Sequence, residues 1–154
     1  MFSVFISSTG PGVARAEHKN GDWVIGRVSQ LDVRCLAAAP DSGRLYAGTQ
    51  GDGLWHSDDR GETWARLGLD SWIVKSIATT PAAPDLVLAG TKPPHVLMSL
   101  DRGVTWRELE SFRHIRGRNL WRQPAERPST PYVQALVVAP SDSNLIVAGM
   151  EAGA

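Results

Sequence analysis

One phrase occurs twice in this sequence, as SDDRGETW at residues 57–64 and as SLDRGVTW at residues 99–106, 42 positions later. An Asp side chain accepts hydrogen bonds from the amides of a tight turn, and Gly supplies the positive φ that such a turn needs. We therefore expect each phrase to form a hairpin turn, after which the Thr restarts a strand and the Trp packs beside it. The pattern favours a structural element over an active site. The shared positions are Ser57, Asp59, Gly61, Thr63 and Trp64, and Ser99, Asp101, Gly103, Thr105 and Trp106.

A second element, which ends in Ala-Gly, recurs three times, at residues 39–48, 80–90 and 139–149. A degenerate copy of the turn phrase also occurs at residues 16–23 and aligns with the first full copy at an offset of 41. In this copy Ala16, His18 and Asn20 replace the Ser, Asp and Gly of the phrase, and Trp23 keeps the Trp. The sequence thus contains three copies of one module and part of a fourth.

Within a module, apolar and polar residues alternate with the period of two that is typical of strands, in short runs separated by turn residues. In the second module this pattern predicts strands at residues 33–38, 44–48, 54–57 and 63–67. Four short antiparallel strands in about 40 residues are typical of a β-propeller blade. The predicted fold class is all-β, with antiparallel four-stranded blades of an incomplete β-propeller and about three blades present.

The module boundaries predict one partial β-propeller over residues 1–154, made of four units. They are a partial blade at 1–32, a blade at 33–73, a blade with a long crossing insertion at 74–131, and the first two strands of a further blade at 132–154. Propellers close with about 4 to 8 blades. We therefore expect the sequence to be the amino-terminal portion of a longer propeller, and open blade edges of this kind can self-associate.

The pattern S-x-D-x-G-x-T-W resembles the Asp box, or bacterial neuraminidase repeat, of the sialidase-like β-propellers. The resemblance implies that each box lies between the third and fourth strands of a blade, on the face opposite the ligand site. Sialidase catalysis in that family uses three arginines, an Asp, and a Tyr activated by a Glu. Here Tyr46 falls within a predicted strand, and Arg60 and Arg102 fall in box turns on the wrong face. The catalytic residues are therefore unknown from this sequence, and the carboxylates on the predicted ligand face are Asp32, Asp52, Asp70 and Glu151.

Composition narrows the classes of partner. Sixteen basic and sixteen acidic residues give a formal net charge of zero, which argues against a nucleic acid or an anionic membrane as partner. The single cysteine, Cys35, excludes an internal disulfide framework and is expected to be a small buried side chain. The four histidines have no metal-ligand spacing, so we predict no metal and no cofactor. No signal peptide or membrane-spanning segment is visible, which makes a cytoplasmic location the default expectation.

The long crossing insertion is the strongest candidate for function. Relative to the other modules, about seventeen residues are added at 112–132, with five arginines and one acid, Glu126. Strand alternation places this crossing at the end opposite the repeated turns, where guanidinium groups can form an anion-binding edge. A solvated loop with Trp121 packed on its own blade is the structural alternative. The candidate ligand-face residues are Trp72, Lys92, His95, Arg113, His114, Arg116, Arg118, Trp121 and Arg122, with Arg127 as the fifth arginine of the insertion.

Two functions are compatible with these features. The first is a non-catalytic binding or assembly scaffold, resembling the photosystem assembly factors, that binds a carbohydrate or protein ligand on the loop face opposite the boxes. The alternative is a glycoside hydrolase, resembling sialidases or xyloglucan-cleaving enzymes, whose catalytic residues lie largely in further blades. We favour the scaffold because the predicted ligand face shows no catalytic set, and a fold alone does not decide function.

Overall fold

The computed structural model describes residues 3–7, 12–122 and 130–151, which form four antiparallel sheets. The first sheet contains β1 (Ser3–Ser7), β2 (Val13–Lys19) and β3 (Asp22–Ser29). The second contains β4 (Val33–Ala38), β5 (Leu45–Thr49), β6 (Leu54–Ser57) and β7 (Ala65–Gly68). The third contains β8 (Ile73–Thr80), β9 (Ala83–Lys92), β10 (Val96–Ser99) and β11 (Arg107–Glu108). The last contains β12 (Tyr132–Ala139) and β13 (Asp142–Glu151).

The strands of each sheet lie side by side in chain order, and every pairing is antiparallel. Neighbouring sheets meet along their first strands, since β4 contacts β8 and β8 contacts β12. The β1 strand contacts β4 in the same way. This arrangement confirms the predicted fold class, an all-β chain built from partial blades of a β-propeller.

Two short helical segments interrupt the crossing between the third and last sheets. They are α1 (Glu110–Arg113) and a 3₁₀ turn at Arg118–Leu120. Within the described ranges, no helix has the length and apolar character needed to cross a bilayer.

The repeated phrase forms a hairpin turn held by its Asp carboxylate. In the first copy the carboxylate of Asp59 accepts hydrogen bonds from the Thr63 amide at 2.9 Å, the Thr63 hydroxyl at 2.6 Å and the Ser57 hydroxyl at 2.7 Å. Arg60 and Gly61 both have positive φ, at 60° and 84°. The second copy repeats the arrangement, with the Asp101 carboxylate bonded to the Thr105 amide and hydroxyl and to the Ser99 hydroxyl. In both copies, the side chains of the phrase therefore form hydrogen bonds within its own turn.

One detail of that prediction is wrong. Thr63 and Thr105 do not restart a strand, because their amide and hydroxyl groups are held by the Asp carboxylate inside the turn. The fourth strands begin two residues later, at Ala65 and Arg107. The predicted strand at residues 44–48 also lies one residue further along, at Leu45–Thr49.

The degenerate copy of the phrase forms a tighter turn. Asn20 and Gly21 have positive φ, at 52° and 94°, and connect β2 directly to β3. A turn of two residues with positive φ suits an antiparallel hairpin, and both Asn and Gly adopt that conformation readily. Trp23 consequently lies within β3, where 54% of it is exposed and its ring contacts His18 at a centroid distance of 5.3 Å.

The Ala-Gly element forms the contact between neighbouring sheets. A Cβ atom at Gly48 would lie 2.5 Å from the sulfur of Cys35 in the neighbouring strand of its own sheet, and 2.6 Å from Cγ1 of Val74, which belongs to the first strand of the following sheet. The Cys35 thiol lies at the same contact and points to the Val74 carbonyl, with a sulfur–oxygen distance of 3.6 Å. Because φ of Gly48 is not positive, the residue is glycine here to provide space for the next sheet.

The next pair of sheets repeats this contact. A Cβ atom at Gly90 would lie 2.6 Å from Cγ1 of Val133, and the Ser76 hydroxyl donates to the Val133 carbonyl at 2.9 Å. A β-bulge follows Val74 and Val133 in their strands, as one also follows Val33. In both places, a glycine in the second strand of one sheet therefore contacts a valine in the first strand of the next sheet.

The sequence predicts a buried Cys35, and the structure shows a residue that is only half-buried but whose sulfur faces the neighbouring strands. The thiol is enclosed between Gly48 and Val74, and desolvation raises its pKa to about 12. A thiol with so high a pKa has almost no thiolate at neutral pH, and the thiolate is the reactive form. Cys35 is therefore a packing residue of the contact between sheets.

We predict that Gly48→Ala lowers the free energy of unfolding by about 1–3 kcal/mol, because the new methyl group overpacks the contact with Val74. Gly149→Ala is the matched control: it occupies the same strand position in the last sheet, where the nearest atom to a new Cβ is 3.4 Å away. Denaturant unfolding of both variants tests this. Equal losses would show that the Gly48 site is not a tight contact between sheets.

The turns also predict that the stability of the fold decreases at low pH. Hydrogen bonds from Thr63 and Thr105 hold the pKa of Asp59 and Asp101 at about 2, below the ordinary value of 3.8. A carboxyl group whose pKa is lowered by folding stabilises the fold at pH values above its ordinary pKa. This contribution is lost as the pH falls from about 4 toward 2. The double variant Asp59→Asn/Asp101→Asn should therefore flatten the fall in melting temperature between pH 4 and pH 2. Asp22→Asn, outside both turns, serves as the control, and an unchanged slope in the double variant would contradict this role for the two carboxylates.

Candidate functional site

The predicted ligand-face residues lie where the strands and crossings leave the sheets, at the end opposite the repeated turns. Trp72 directly precedes β8, Lys92 ends β9 and His95 directly precedes β10. The insertion begins after β11 and returns to the sheets at Tyr132. Antiparallel alternation therefore brings loops from the third and last sheets to one end of the molecule.

A chain of contacts connects the blade crossing to the insertion. The rings of Trp72 and His95 meet edge to face, with centroids 5.0 Å apart. His95 Nδ1 lies 2.8 Å from a carboxylate oxygen of Glu108, and the same oxygen lies 3.8 Å from the Arg118 guanidinium. Arg118 also donates to the Pro94 carbonyl. Three predicted residues, Trp72, His95 and Arg118, are thus brought together, and Glu108 joins them.

Arg118 has a fixed position. Besides its contacts with Glu108 and Pro94, its guanidinium lies 5.2 Å from the centroid of the Phe112 ring. Only 18% of the Arg118 side chain is exposed. An arginine held on several sides loses little conformational freedom when it binds a further group.

A second cluster surrounds Tyr132 at the start of β12. Lys75 Nζ lies 4.4 Å and Lys92 Nζ 5.7 Å from the centroid of the Tyr132 ring, within the range of a cation–π contact. The Tyr132 hydroxyl donates to the carboxylate of Glu151. Lys92, a predicted ligand-face residue, therefore contacts the first strand of the last sheet.

The insertion builds an arginine-lined depression, which we call the arginine pocket. It has a volume of about 490 Å³, and its polar groups come from Arg113, Arg118 and Arg122. Its apolar walls are Pro94, Ile115, Trp121 and Pro131. Four of the nine predicted ligand-face residues line this pocket, so the structure brings them together on one surface.

Glu110, Phe112 and exposed backbone contact other side chains of the insertion. Arg113 Nη1 and His114 Nε2 both reach Glu110, at 4.0 and 3.1 Å. Arg116 is exposed beside them. Trp121 packs against Phe112 with a centroid distance of 6.1 Å, which agrees with the structural alternative for this ring, although it also lines the arginine pocket. Arg127 and Glu126 lie outside the described residues.

Sequence reasoning missed Glu108, Phe112, Lys75 and the pairing of Tyr132 with Glu151. The pairing of Tyr132 with Glu151 could have been predicted from the repeat. The Ala-Gly element aligns β13 with β5 and β9, and in each antiparallel pair the first residue of the first strand lies opposite the end of the second strand. Glu108 and Phe112 meet Arg118 only through folding of the insertion. Their sequence positions carried no indication of it.

The four carboxylates expected on the ligand face each have a polar partner within the chain, although Oδ1 of Asp32 is buried without one, and Glu151 is bonded to Tyr132. Asp32 lies 3.0 Å from the Arg34 guanidinium, and Arg66 contacts both Asp52 and Asp70. No group of three or more His, Cys, Asp or Glu side chains in the described ranges is arranged to hold a metal ion.

The chain resembles solved structures of glycoside hydrolases. An ancestral GH74 enzyme aligns with 70% of this chain at 21% identity and a TM-score of 0.57, and the alignment covers 16% of that enzyme. A GH74 xyloglucanase from Xanthomonas campestris aligns with 96% of this chain and 34% of its own length, at 14% identity and a TM-score of 0.48. No family model matches the chain, and no curated protein matches it.

The likeness to the ancestral GH74 enzyme supports the β-propeller fold and does not extend to activity. The aligned part is 16% of the ancestral enzyme, so this chain spans about a sixth of the length of that enzyme. Function therefore has to be argued from the residues of the site.

Proposed function

We propose that the chain is a non-catalytic binding or assembly module that holds a carboxylate- or phosphate-bearing ligand in the arginine pocket. The observation that carries the proposal is the convergence of Arg113, Arg118 and Arg122 on one depression of about 490 Å³. Planar guanidinium groups form paired hydrogen bonds with carboxylate and phosphate oxygens, which makes arginine the preferred side chain for such anions.

The three arginines have different roles in this proposal. Arg118 is pre-positioned by Glu108, Pro94 and Phe112 and supplies a rigid donor in the pocket. Arg113 has a side chain that is 58% exposed, and its contact with Glu110 is 4.0 Å long, so it can turn toward a ligand at little cost. Arg122 completes the rim next to Trp121.

Trp121 supports a ligand with a ring or an apolar face. Its indole lines the arginine pocket between Ile115 and the arginines, so a bound anion would have an aromatic surface beside it. Aromatic side chains contribute a large apolar contact at low entropic cost. A sugar acid or an acidic peptide would use the anion contacts and this surface together.

A glycoside hydrolase remains the second candidate function, and the likeness to GH74 enzymes is the observation that favours it. The pairing of Asp52 and Asp70 with Arg66 weighs against it, because a glycosidase needs one carboxyl group that gives up a proton and a partner that accepts one. We therefore rank the binding module first.

Arg122→Ala should weaken binding of a fluorescent oligogalacturonide about fivefold to tenfold, because one charge-assisted contact is lost. Arg107→Ala is the charge-matched control, since Arg107 is exposed on β11 and does not line the pocket. Binding to the wild-type chain should also weaken with added salt.

Two further probes separate the alternatives. A labelled peptide rich in Asp and Glu that competes with the oligogalacturonide, and binds more tightly, would identify a protein as the source of the anion. Release of reducing sugar from xyloglucan by the chain, without measurable binding of either anionic probe, would replace the proposal with the hydrolase. Equal effects of Arg122→Ala and Arg107→Ala would contradict the arginine pocket as the binding site.

A further inference from the structure

Arg118 of the arginine pocket shares its carboxylate partner with a histidine. Oε1 of Glu108 lies 3.8 Å from Nη1 of Arg118 and 2.8 Å from Nδ1 of His95. We call these three residues the inner triad. Their side chains are 18%, 23% and 29% exposed for Arg118, Glu108 and His95. The carboxylate therefore lies between a permanent cation of the pocket and a side chain whose charge depends on pH.

Arg113 of the same pocket shares its carboxylate in the same way. Nη1 of Arg113 lies 4.0 Å from Oε1 of Glu110, and Nε2 of His114 lies 3.1 Å from Oε2 of that residue. We call these three residues the outer triad. The side chains of Glu110 and His114 are 70% and 73% exposed. Because water and salt screen charges at so exposed a position, a change of charge there has the smaller effect on the pocket.

The position of the hydrogen on His95 follows from its partner. An ionised carboxylate only accepts hydrogen bonds, so with Glu108 ionised it is Nδ1 of His95 that carries the hydrogen of this contact. The other ring nitrogen, Nε2, is then the atom that takes up a second proton. Imidazole side chains change charge in this way between about pH 8 and pH 5.

The described groups that surround His95 come from several elements. Glu108 of β11 contacts the ring directly, and Arg118 of the insertion reaches the same carboxylate. The crossing before β8 contributes the uncharged ring of Trp72, at a centroid distance of 5.0 Å. Lys92 lies three residues earlier in the same loop, and its Nζ lies near the Tyr132 ring. A proton on His95 therefore acts first on Glu108 and, through it, on Arg118.

The protonation state of His95 determines the net charge of the inner triad. With His95 neutral, the formal charges of Glu108 and Arg118 cancel. With His95 protonated, the triad has an excess positive charge, and an anion beside Arg118 is attracted more strongly. Binding and proton uptake are consequently coupled, since a bound anion favours the protonated form as much as the proton favours the anion.

We propose that the inner triad makes anion binding in the arginine pocket dependent on pH, with tighter binding when His95 is protonated. The outer triad contributes less, because it is exposed. This inference rests on the proposed function, since it describes the regulation of the same pocket. The ligand must then remain an anion in mildly acidic solution, as a sugar acid or an acidic peptide does.

Binding of the fluorescent oligogalacturonide at about pH 8 and about pH 5.5 tests the proposal. The probe keeps its charge over this range, because uronate carboxyl groups have a pKa of about 4 or below. The wild-type chain should bind it about fivefold more tightly at the lower pH. Fluorescence anisotropy at one fixed salt concentration gives the ratio of the two dissociation constants.

Three histidine variants locate the effect. His95→Gln keeps a side-chain donor for Glu108 but stays neutral, so its two dissociation constants should agree within about twofold. His114→Gln should keep most of the wild-type ratio, because the outer triad is exposed. His18→Gln is the distant control, since His18 lies in β2 of the first sheet, and its ratio should equal that of the wild type.

Proton uptake provides a second measurement that requires no variant. Calorimetric titrations of the wild-type chain with oligogalacturonide at about pH 6.5, in two buffers of different ionisation enthalpy, should show that protons are taken up on binding. A purely structural role of His95 would produce no such uptake.

The outcomes separate this inference from the proposed function. A wild-type ratio near one, equal ratios in His95→Gln and His18→Gln, or binding without proton uptake would overturn the inference and leave the arginine pocket as the binding site. A ratio that is lost in His114→Gln and kept in His95→Gln would overturn it in favour of the outer triad. Failure of the anionic probes to bind at either pH would overturn the proposed function as well.

Discussion

The contact between a glycine of one sheet and a valine of the next is the constraint on which the fold depends. At Gly48 and Gly90 a side chain of any size would occupy the space of Val74 and Val133. Cys35 and Ser76 then contact the carbonyl of the approaching strand. Because the contact occurs between the second and third sheets and again between the third and last, these sheets pack against each other through equivalent residues of successive modules.

This stacking also determines which residues lie at each end of the sheets. The repeated turns lie at one end of every complete sheet, and their Ser, Asp and Thr residues form hydrogen bonds with one another within the turn. The opposite end carries the crossings, and the long insertion there adds the arginines. A rigid scaffold with one variable loop end is a common way to combine stability with binding. The arginine pocket arises because the insertion packs between the third and last sheets.

Much of the fold could be predicted from the sequence, because the repeat, the turn phrase and the period of two all indicate the same architecture. The number of strands in each sheet followed from aligning the modules. The residue at which the turn ends could not be predicted, because nothing in the sequence shows that Thr63 donates to Asp59 and so delays the start of the next strand. The bulge after Val74 was also invisible, as no Gly or Pro accompanies it. At the site, Trp72, His95 and Arg118 were anticipated, whereas Glu108 depended on how the insertion folds back.

A double-mutant cycle on Gly90 and Val133 tests the glycine contact most directly. The free energies of unfolding would be measured for Gly90→Ala, Val133→Ala and the double variant. If the two residues are in contact, removing the valine methyl groups relieves the overlap of the new alanine with Cγ1 of Val133, while the overlaps with Cβ of Val133 and with the Ser76 hydroxyl remain. The double variant should then be more stable than additivity predicts by about 1 kcal/mol. Additive losses, within about 0.5 kcal/mol, would contradict the account, because residues that do not touch behave independently.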